Sequence, residues 1–253
     1  MKSSRTFLIF SFVFLCSYAQ AREVDWKTEI AFDVAMTVGS IAVEATSPTD
    51  ARYDKDEFPT QKLDNNVMRT VHGEPNEVAS AKETQYRDFS NVSVILATAL
   101  PAAASFFDDG QKRAGTILTT VHTVLLSNFL VTGLKYAVRR PRPEASLLPP
   151  DKEPDDNALS FPSGHSAAAF AGATLFSQLF PTSPLWLKAG GYGLATMTAW
   201  ARMAGDKHYF TDVVAGGLIG AGSAIAVDAS LEEESGHTVS VGPNFVSWKY
   251  RFD

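Results

Sequence analysis

Three short segments of the chain concentrate residue types that bind and attack a phosphoryl group. They are residues 135–143, residues 160–166 and residues 202–212. The first and third segments carry fixed cations, which neutralise an anionic ligand. The second and third each carry a histidine, which acts as a nucleophile or as a proton carrier. The combination predicts chemistry on a phosphate group.

The first segment reads Lys135-Tyr-Ala-Val-Arg-Arg-Pro-Arg142-Pro143. Lys135 lies at the predicted end of an apolar helix, where a cation suits the negative end of the helix dipole. Because a residue before proline avoids the α region, Arg140 and Arg142 are expected in extended backbone. An extended arginine presents its planar fork to a phosphate. Taken alone, this segment is better explained as a solvated basic helix end.

The second segment places Pro162-Ser163-Gly164-His165 in front of an apolar run. Ser163 is a predicted N-cap, and Gly164 allows a ligand to approach the backbone closely. Backbone N–H groups at the start of a helix bind anions, so His165 would lie beside a bound anion. The alternative is an ordinary capped helix with a surface histidine.

The third segment contains Arg202, His208 and Asp212. His208 and Asp212 are four residues apart and would share one face of a helix. Asp212 would then accept a hydrogen bond from one ring nitrogen and leave the other nitrogen free to attack. Gly205 predicts a break between Arg202 and His208. A His–Asp pair alone is often only a structural hydrogen bond.

Together the spacings Lys-x6-Arg-Pro, Pro-Ser-Gly-His and Arg-x5-His-x3-Asp resemble the three-part signature of the type 2 phosphatidic acid phosphatase (PAP2) superfamily. That superfamily includes bacterial class A non-specific acid phosphatases, lipid phosphatases and vanadium haloperoxidases. The resemblance covers residues 135–212. Arg140-Pro141 is a second Arg-Pro pair, but six intervening residues select Arg142-Pro143. Ala201 stands where the family usually has serine, which removes one phosphate contact.

The resemblance implies a role for each matching residue. His208 is the expected nucleophile, Asp212 orients it, and His165 protonates the leaving oxygen and later activates water. The expected phosphate-binding residues are Lys135, Arg142, Ser163, Gly164 and Arg202. The resemblance implies no metal and no cofactor, and vanadate is expected to inhibit.

Apolar, helix-forming runs must position these segments. The composition predicts helices over residues 29–44, 92–107, 114–138, 166–180, 185–203 and 211–229, with Pro101 breaking the second of them. Residues 47–90 are predicted as a polar connection with one short helix around residues 77–86. Alternating apolar residues near the C-terminus, around the turn at Gly242, predict a β-hairpin. The fold class is therefore all-α: a helical bundle of five or six helices, of the PAP2/acid phosphatase type, with a small C-terminal β-hairpin.

The N-terminus has the pattern of a secretory signal peptide. Lys2 and Arg5 precede an apolar run over residues 7–15, and Ala19-Gln20-Ala21 matches a cleavage site. The predicted organisation is a signal peptide over 1–21, an N-terminal helix and polar connection over 22–90, a PAP2-like catalytic domain over 91–230 and the hairpin over 231–253. Export to the periplasm or cell envelope follows.

Composition restricts the class of partner. The net charge of −6 becomes −8 when Lys2 and Arg5 leave with the signal, which argues against nucleic acid. The single cysteine, Cys16, lies in the signal, so the mature chain has no thiol chemistry. Residues 114–134 are uncharged and long enough to span a bilayer, but they carry His122 and Asn128. A soluble bundle is favoured, with an integral membrane protein whose site faces outward as the alternative.

The predicted function is a phosphatase that hydrolyses phosphate monoesters, or lipid phosphates and diphosphates, through a covalent phosphohistidine. The expected partner is a phosphorylated small molecule or a lipid headgroup, with membrane association possible and the oligomeric state open. Two alternatives remain at this point: a vanadate-dependent haloperoxidase, and a catalytically silent envelope binding or scaffold protein.

Overall fold

The computed structural model describes residues 26–53, 57–72, 81–107, 113–146, 157–234, 237–242 and 245–250. Within these residues the chain forms seven α-helices, one 3-10 helix and one β-hairpin. The α-helices are α1 (Trp26–Thr46), α2 (Gln61–His72), α3 (Ala81–Ala104), α4 (Arg113–Val138), α5 (Gly164–Leu179), α6 (Leu185–Ala204) and α7 (Phe210–Glu234). The 3-10 helix spans Pro143–Ser146 and follows α4. The predicted signal peptide lies outside the described residues.

Helix α5 is the centre of the bundle and packs against α3, α4, α6 and α7. Its buried face consists largely of alanines, namely Ala167, Ala169, Ala171 and Ala173. Such short side chains let the neighbouring helices approach closely. A Cβ added to Gly216 or Gly220 of α7 would lie 2.3 Å from the Ser163 carbonyl oxygen or 1.9 Å from that of Ala167. Helix α7 therefore packs directly on the backbone of α5, and glycine is required at the seam.

The helices predicted over residues 29–44, 114–138, 166–180, 185–203 and 211–229 are confirmed as α1 and α4–α7. The prediction for residues 47–90 is wrong in two respects. Helix α2 was missed, because it is polar except for a narrow face on which Met68 and Val71 pack against α6 and α7. The short helix expected around residues 77–86 is the beginning of α3, which continues to Ala104. The described residues therefore form seven α-helices where five or six were expected.

Pro101 does not break α3, contrary to expectation. It is fully buried near the end of the helix, and its carbonyl still accepts a hydrogen bond from the Ser105 N–H at 3.1 Å. A proline has no N–H for the carbonyl four residues earlier, which is that of Ala97. Gly172 of α5 approaches this carbonyl so closely that a Cβ there would lie 2.2 Å from the oxygen.

The predicted C-terminal hairpin is confirmed as strands β1 (His237–Gly242) and β2 (Phe245–Tyr250). The strands are antiparallel, with Val239 opposite Trp248 and Val241 opposite Val246. Helix α3 runs without interruption through the expected junction at residues 90 and 91, and α7 through that at 230 and 231. The division into domains stays a prediction.

Candidate active site

The three segments meet at one end of the bundle. The residues predicted for the site lie at the C-terminal ends of α4 and α6, at the N-terminal ends of α5 and α7, or in the adjoining loops. Hydrogen bonds join the segments to one another. The Ser163 N–H donates to the Asp212 carbonyl at 2.9 Å, and Arg142 Nη1 donates to the Lys207 carbonyl at 2.9 Å. Both contacts link residues far apart in the sequence, so the fold assembles the site.

The cations expected to bind phosphate have polar contacts that fix their positions. Lys135 Nζ donates to the Leu159 carbonyl, and Arg202 Nη1 lies 3.3 Å from Ser90 Oγ on α3. Arg142 and Arg202 are largely buried. Burial lowers the local dielectric constant, so their charges act strongly on neighbouring groups.

His208 lies in the loop between α6 and α7 and is 2% exposed. Its Nδ1 lies 2.7 Å from the Ser160 carbonyl oxygen. A carbonyl oxygen only accepts hydrogen bonds, so Nδ1 carries the proton and Nε2 carries the lone pair. Burial, followed by the charges of Arg142, Arg202 and Lys135, holds the pKa of His208 well below its ordinary value of 6.5. At neutral pH the ring is therefore neutral, as a nucleophile must be.

Asp212 is fully buried but does not form the hydrogen bond expected with His208. Its Oδ2 lies 3.8 Å from His208 Nδ1, and the Ser160 carbonyl occupies that hydrogen-bonding position instead. The reason is local structure: α7 begins at Phe210, so His208 precedes the helix rather than sharing its face. Asp212 Oδ2 instead accepts from Ser160 Oγ at 2.5 Å and from the Tyr209 N–H at 2.9 Å.

His165 lies in the first turn of α5, with its Nε2 2.9 Å from Asn91 Oδ1 on α3. Burial, followed by the charges of Arg202, Lys135 and Arg142, lowers the pKa of His165 from 6.5 to about 3. A bound phosphate would offset those positive charges and raise the pKa of the ring. Proton donation by His165 therefore requires the anion to be in place.

The start of α5 forms as the sequence predicts. Ser163 is the N-cap, and its Oγ accepts from the Ser166 N–H at 3.4 Å. A Cβ added to Gly164 would make only an ordinary contact, 3.7 Å from Val131 Cγ1. Packing within the protein therefore does not require glycine at position 164, unlike at the α5–α7 seam. The phosphate-binding roles of Ser163 and Gly164 stay predictions.

Comparisons with known proteins find similarity to one superfamily. The family model of the PAP2 superfamily matches residues 116–233. This segment is therefore similar to the PAP2 superfamily. A lipid A 1-phosphatase from Porphyromonas gingivalis is 34% identical over 91 residues, which are 36% of this chain and 18% of that protein. The chain thus matches under a fifth of the length of this curated relative.

Two solved structures are similar to the chain as a whole. One is a transmembrane PAP2-type phosphatidylglycerolphosphate phosphatase from Bacillus subtilis, 18% identical, with a TM-score of 0.51 over 79% of this chain and 96% of that one. The other is Aquifex aeolicus LpxE, 24% identical, with a TM-score of 0.48 over 68% of this chain and 96% of that one. The first of these likenesses shows the PAP2 fold.

Several residues around the PAP2 site were not predicted from the sequence. Glu144 is buried in the 3-10 helix and pairs with Arg87 Nη2 at 2.8 Å and with Lys207 Nζ at 2.5 Å. Ser90, Asn91 and Arg87 all come from α3, which lies before residue 116. No pattern in the sequence predicted that Asn91 contacts His165, because the two residues are 74 positions apart.

Arg140 is the largest fully buried side chain of this region, at 1% exposure. The sequence suggested it as an extended arginine that presents its fork to a phosphate, and as the rejected member of two Arg-Pro pairs. It donates to Asp212 Oδ1 at 2.6 Å and to Asp64 Oδ2 at 2.8 Å. It therefore binds carboxylates of the protein itself. Among the described residues, no group of three or more histidines, cysteines and carboxylates is arranged to hold a metal ion.

Proposed function

We propose that this protein is a PAP2-type phosphatase that hydrolyses lipid phosphates through a covalent phosphohistidine on His208. The observation that carries the proposal is the state of His208. It is buried and neutral, and its Nδ1 proton is held by the Ser160 carbonyl. Three cations act on the ring: Lys135 and Arg142 from the first segment, and Arg202 from the third. An imidazole in that state is a nucleophile directed at an anion.

The first half of the reaction forms a phosphoenzyme. The phosphoryl oxygens bind among Lys135, Arg142 and Arg202, which neutralise the charge of the transition state. The lone pair on His208 Nε2 attacks phosphorus, and the bond from phosphorus to the ester oxygen breaks. The proton of His165, whose pKa rises once the phosphate is bound, moves to the leaving oxygen. The products are a free alcohol, or a lipid phosphate from a diphosphate, and phosphohistidine.

The second half returns the enzyme to its starting state. Neutral His165 takes a proton from a water molecule, whose oxygen attacks phosphorus as the phosphorus–nitrogen bond breaks. Inorganic phosphate leaves and His208 regains its lone pair. Asp212 lies 3.8 Å from His208 Nδ1, close enough to stabilise positive charge on the ring without accepting its proton. No metal or cofactor takes part in this scheme.

A lipid substrate is supported by the surface of the bundle. Two helical segments, Arg113–Ala145 and Phe210–Ala229, are long and apolar enough to cross a membrane. Large apolar side chains are also exposed on α1, α3, α6 and α7: Phe32, Val38, Ile41, Val92, Ile95, Leu96, Leu185, Trp186, Met197, Leu218 and Ile225. Water-exposed surfaces rarely carry so much apolar area. These features favour the membrane alternative over the soluble bundle.

The proposed location is therefore a membrane of the cell envelope. The names of the relatives, a lipid A phosphatase and a phosphatidylglycerolphosphate phosphatase, fit a substrate presented at a bilayer surface. The proposed phosphate site lies at one end of the helical bundle, beside apolar helices. A lipid could therefore place its headgroup in the site while its acyl chains stay in the bilayer. The signal peptide over residues 1–21 remains part of this proposal.

The test is phosphate release from phosphatidate in mixed detergent micelles, beside p-nitrophenyl phosphate in solution, with and without orthovanadate. Wild-type protein is expected to release phosphate from the lipid, with inhibition by vanadate, a mimic of the five-coordinate transition state. His208→Ala is expected to lower the rate on the order of 10⁴-fold or more. Rapid quenching with labelled substrate should trap a base-stable, acid-labile phosphoprotein in the wild type and none in the variant.

The remaining functions make different predictions in the same experiment. A haloperoxidase would oxidise bromide in the presence of vanadate and peroxide and would hydrolyse no ester. A silent binding protein would fold and do neither. Full activity of His208→Ala, or label that stays in this variant, would overturn the phosphohistidine mechanism.

A further inference from the structure

Arg140 connects two buried carboxylates, Asp212 and Asp64. Its Nη1 donates to Asp212 Oδ1 at 2.6 Å, and its Nη2 donates to Asp64 Oδ2 at 2.8 Å and to Gln61 Oε1 at 2.8 Å. The guanidinium also lies between two aromatic rings, 4.0 Å from the centroids of both Phe58 and Tyr209. Its planar fork is thus held at its edges and on both faces.

Asp64 holds this arginine from helix α2. It is fully buried, and each of its oxygens has a protein donor. Oδ1 accepts from the Thr211 N–H at 2.8 Å, and Oδ2 accepts from Thr211 Oγ1 at 2.7 Å and from Thr60 Oγ1 at 2.8 Å. Asp64 therefore links α2 to the first turn of α7 through Thr211, the residue before Asp212.

Hydrogen bonds join Arg140, Ser160 and Asp212 in a closed ring, and His208 is bound to this ring through the Ser160 carbonyl. The Arg140 carbonyl accepts from the Ser160 N–H at 2.9 Å, and the Ser160 carbonyl accepts from His208 Nδ1. On the other side Arg140 Nη1 binds Asp212, whose second oxygen accepts from Ser160 Oγ at 2.5 Å. Arg140 therefore fixes Ser160 by two routes, and Ser160 fixes the tautomer and orientation of the His208 ring.

We propose that Arg140 and Asp64 are positioning residues of the phosphatase site, which act on His208 through Asp212 and Ser160. The proposal rests on the function proposed above and extends it to helix α2, which lies outside residues 116–233. Neither side chain reaches the phosphate in this scheme. They affect the position of His208 Nε2, and displacing a reacting atom by about 1 Å lowers the rate roughly 10²-fold.

The test compares kcat and KM of Arg140→Lys and Asp64→Asn with those of the wild type on the same lipid phosphate. Lysine keeps the charge but loses the fork, and asparagine keeps the shape but loses the charge. Each variant is expected to lower kcat roughly 10²-fold and to leave KM within about threefold, because binding of the substrate is unchanged. Because Asp64 acts through Arg140, the double variant should be scarcely slower than Arg140→Lys.

The neighbouring pair Arg139–Asp50 is a matched control. Arg139 Nη1 lies 3.0 Å from Asp50 Oδ1, and the Asp50 side chain is 75% exposed. Arg139→Lys and Asp50→Asn make the same chemical changes one position away and should leave kcat within about twofold, since exposed ion pairs contribute little. Wild-type kcat in Arg140→Lys and Asp64→Asn, or a change in KM alone, would overturn the positioning role.

Loss of folding is separated from loss of positioning by thermal unfolding in detergent and by a milder variant. Gln61→Met removes one acceptor of Arg140 Nη2 without removing charge, and a severalfold fall in kcat with an unchanged unfolding temperature is expected. Unchanged kcat in this variant, should the other two fail to fold, would count against the proposal. An inactive wild type would contradict the proposed function, whereas an active wild type with active Arg140 variants would contradict only the positioning role.

Discussion

Arg140 and Arg142 are two residues apart and both are buried, yet their surroundings differ in kind. Arg140 lies between two carboxylates and two aromatic rings, and both of its Nη atoms donate to side chains of the protein. Arg142 donates to a neutral oxygen, the Lys207 carbonyl, and its positive charge lowers the pKa values of both His165 and His208. We call the first surroundings the paired layer. The second, for which we propose phosphate binding together with Lys135, Arg202 and the Gly164 amide, we call the phosphate-facing layer.

The difference shows how one stretch of sequence serves two purposes. Carboxylates that bind a guanidinium fix its position, because its charge is paired and its Nη donors are bound. A guanidinium whose charge acts on neighbouring histidines favours an incoming anion. Proline on either side of Arg142 separates the two layers along the chain. Variants in each layer should therefore fail in different ways.

The largest effect is expected from Arg142→Ala in the phosphate-facing layer. Charge-assisted hydrogen bonds are worth about 1.5–3 kcal/mol each, so losing a bidentate pair should lower kcat/KM roughly 10²- to 10⁴-fold. Vanadate inhibition should weaken in parallel, because vanadate binds the same cations. Steady-state kinetics and vanadate titration measure both. A variant that kept its vanadate affinity would place Arg142 outside the phosphate site.

The second prediction concerns the glycine seam beneath the site. Gly216→Ala would place a Cβ 2.3 Å from the Ser163 carbonyl oxygen, so α5 and α7 must separate. Overpacking of this kind costs about 1–3 kcal/mol of the free energy of unfolding. Gly222→Ala on the same helix is the control, since nothing lies within 4 Å of its Cβ, and it should be neutral or stabilising. The measurement is the thermal unfolding temperature of the two variants in detergent. Equal unfolding temperatures would mean that the seam tolerates a methyl group.

Much of this architecture was predictable from the sequence, and the reason is locality. Continuous apolar runs predict helices α4–α7. Gly205 alone predicts the end of α6, and the position of Ser163 before a helix predicts its role as the N-cap. The three motifs are each short enough for their spacing to be visible. The residues of the phosphate-facing layer were therefore named before the structure placed them together.

The paired layer escaped prediction because its contacts are long-range. Asp64 and Arg140 are 76 positions apart, and Asp64 and Thr211 are 147 apart. Helix α2 is polar overall, but Leu63, Val67, Met68 and Val71 recur at helical spacing, which is a local signal that could have predicted it. His208 Nδ1 binds the Ser160 carbonyl rather than the expected Asp212, because α7 begins two residues after His208. No local pattern encodes that arrangement.

A third prediction separates the two kinds of glycine. Gly164→Ala should fold like the wild type, because its Cβ makes only ordinary contact with Val131. It should nevertheless lower kcat/KM about tenfold if the amide binds phosphate, since a lost or displaced hydrogen bond to an anion costs about 1.5 kcal/mol or more. Kinetics and thermal unfolding on one preparation test both statements. Unchanged kinetics would remove Gly164 from the phosphate-facing layer.

The smallest effect is a shift along the pH axis, and its sign follows from the cations. His208 attacks only when neutral, so kcat/KM falls as the pH drops through its pKa. Arg142 and the other cations hold the pKa of His208 below 6.5, which places the acid limb of the profile at low pH. Arg142→Gln removes one of those charges and should move the limb to higher pH, whereas Arg139→Gln should leave it in place. Profiles of kcat/KM between about pH 4 and pH 8 are the measurement. The substrate titrates identically in all three proteins, so a limb displaced only in Arg142→Gln reports the field within the site, and coincident limbs would mean that the charge of Arg142 is not felt at His208.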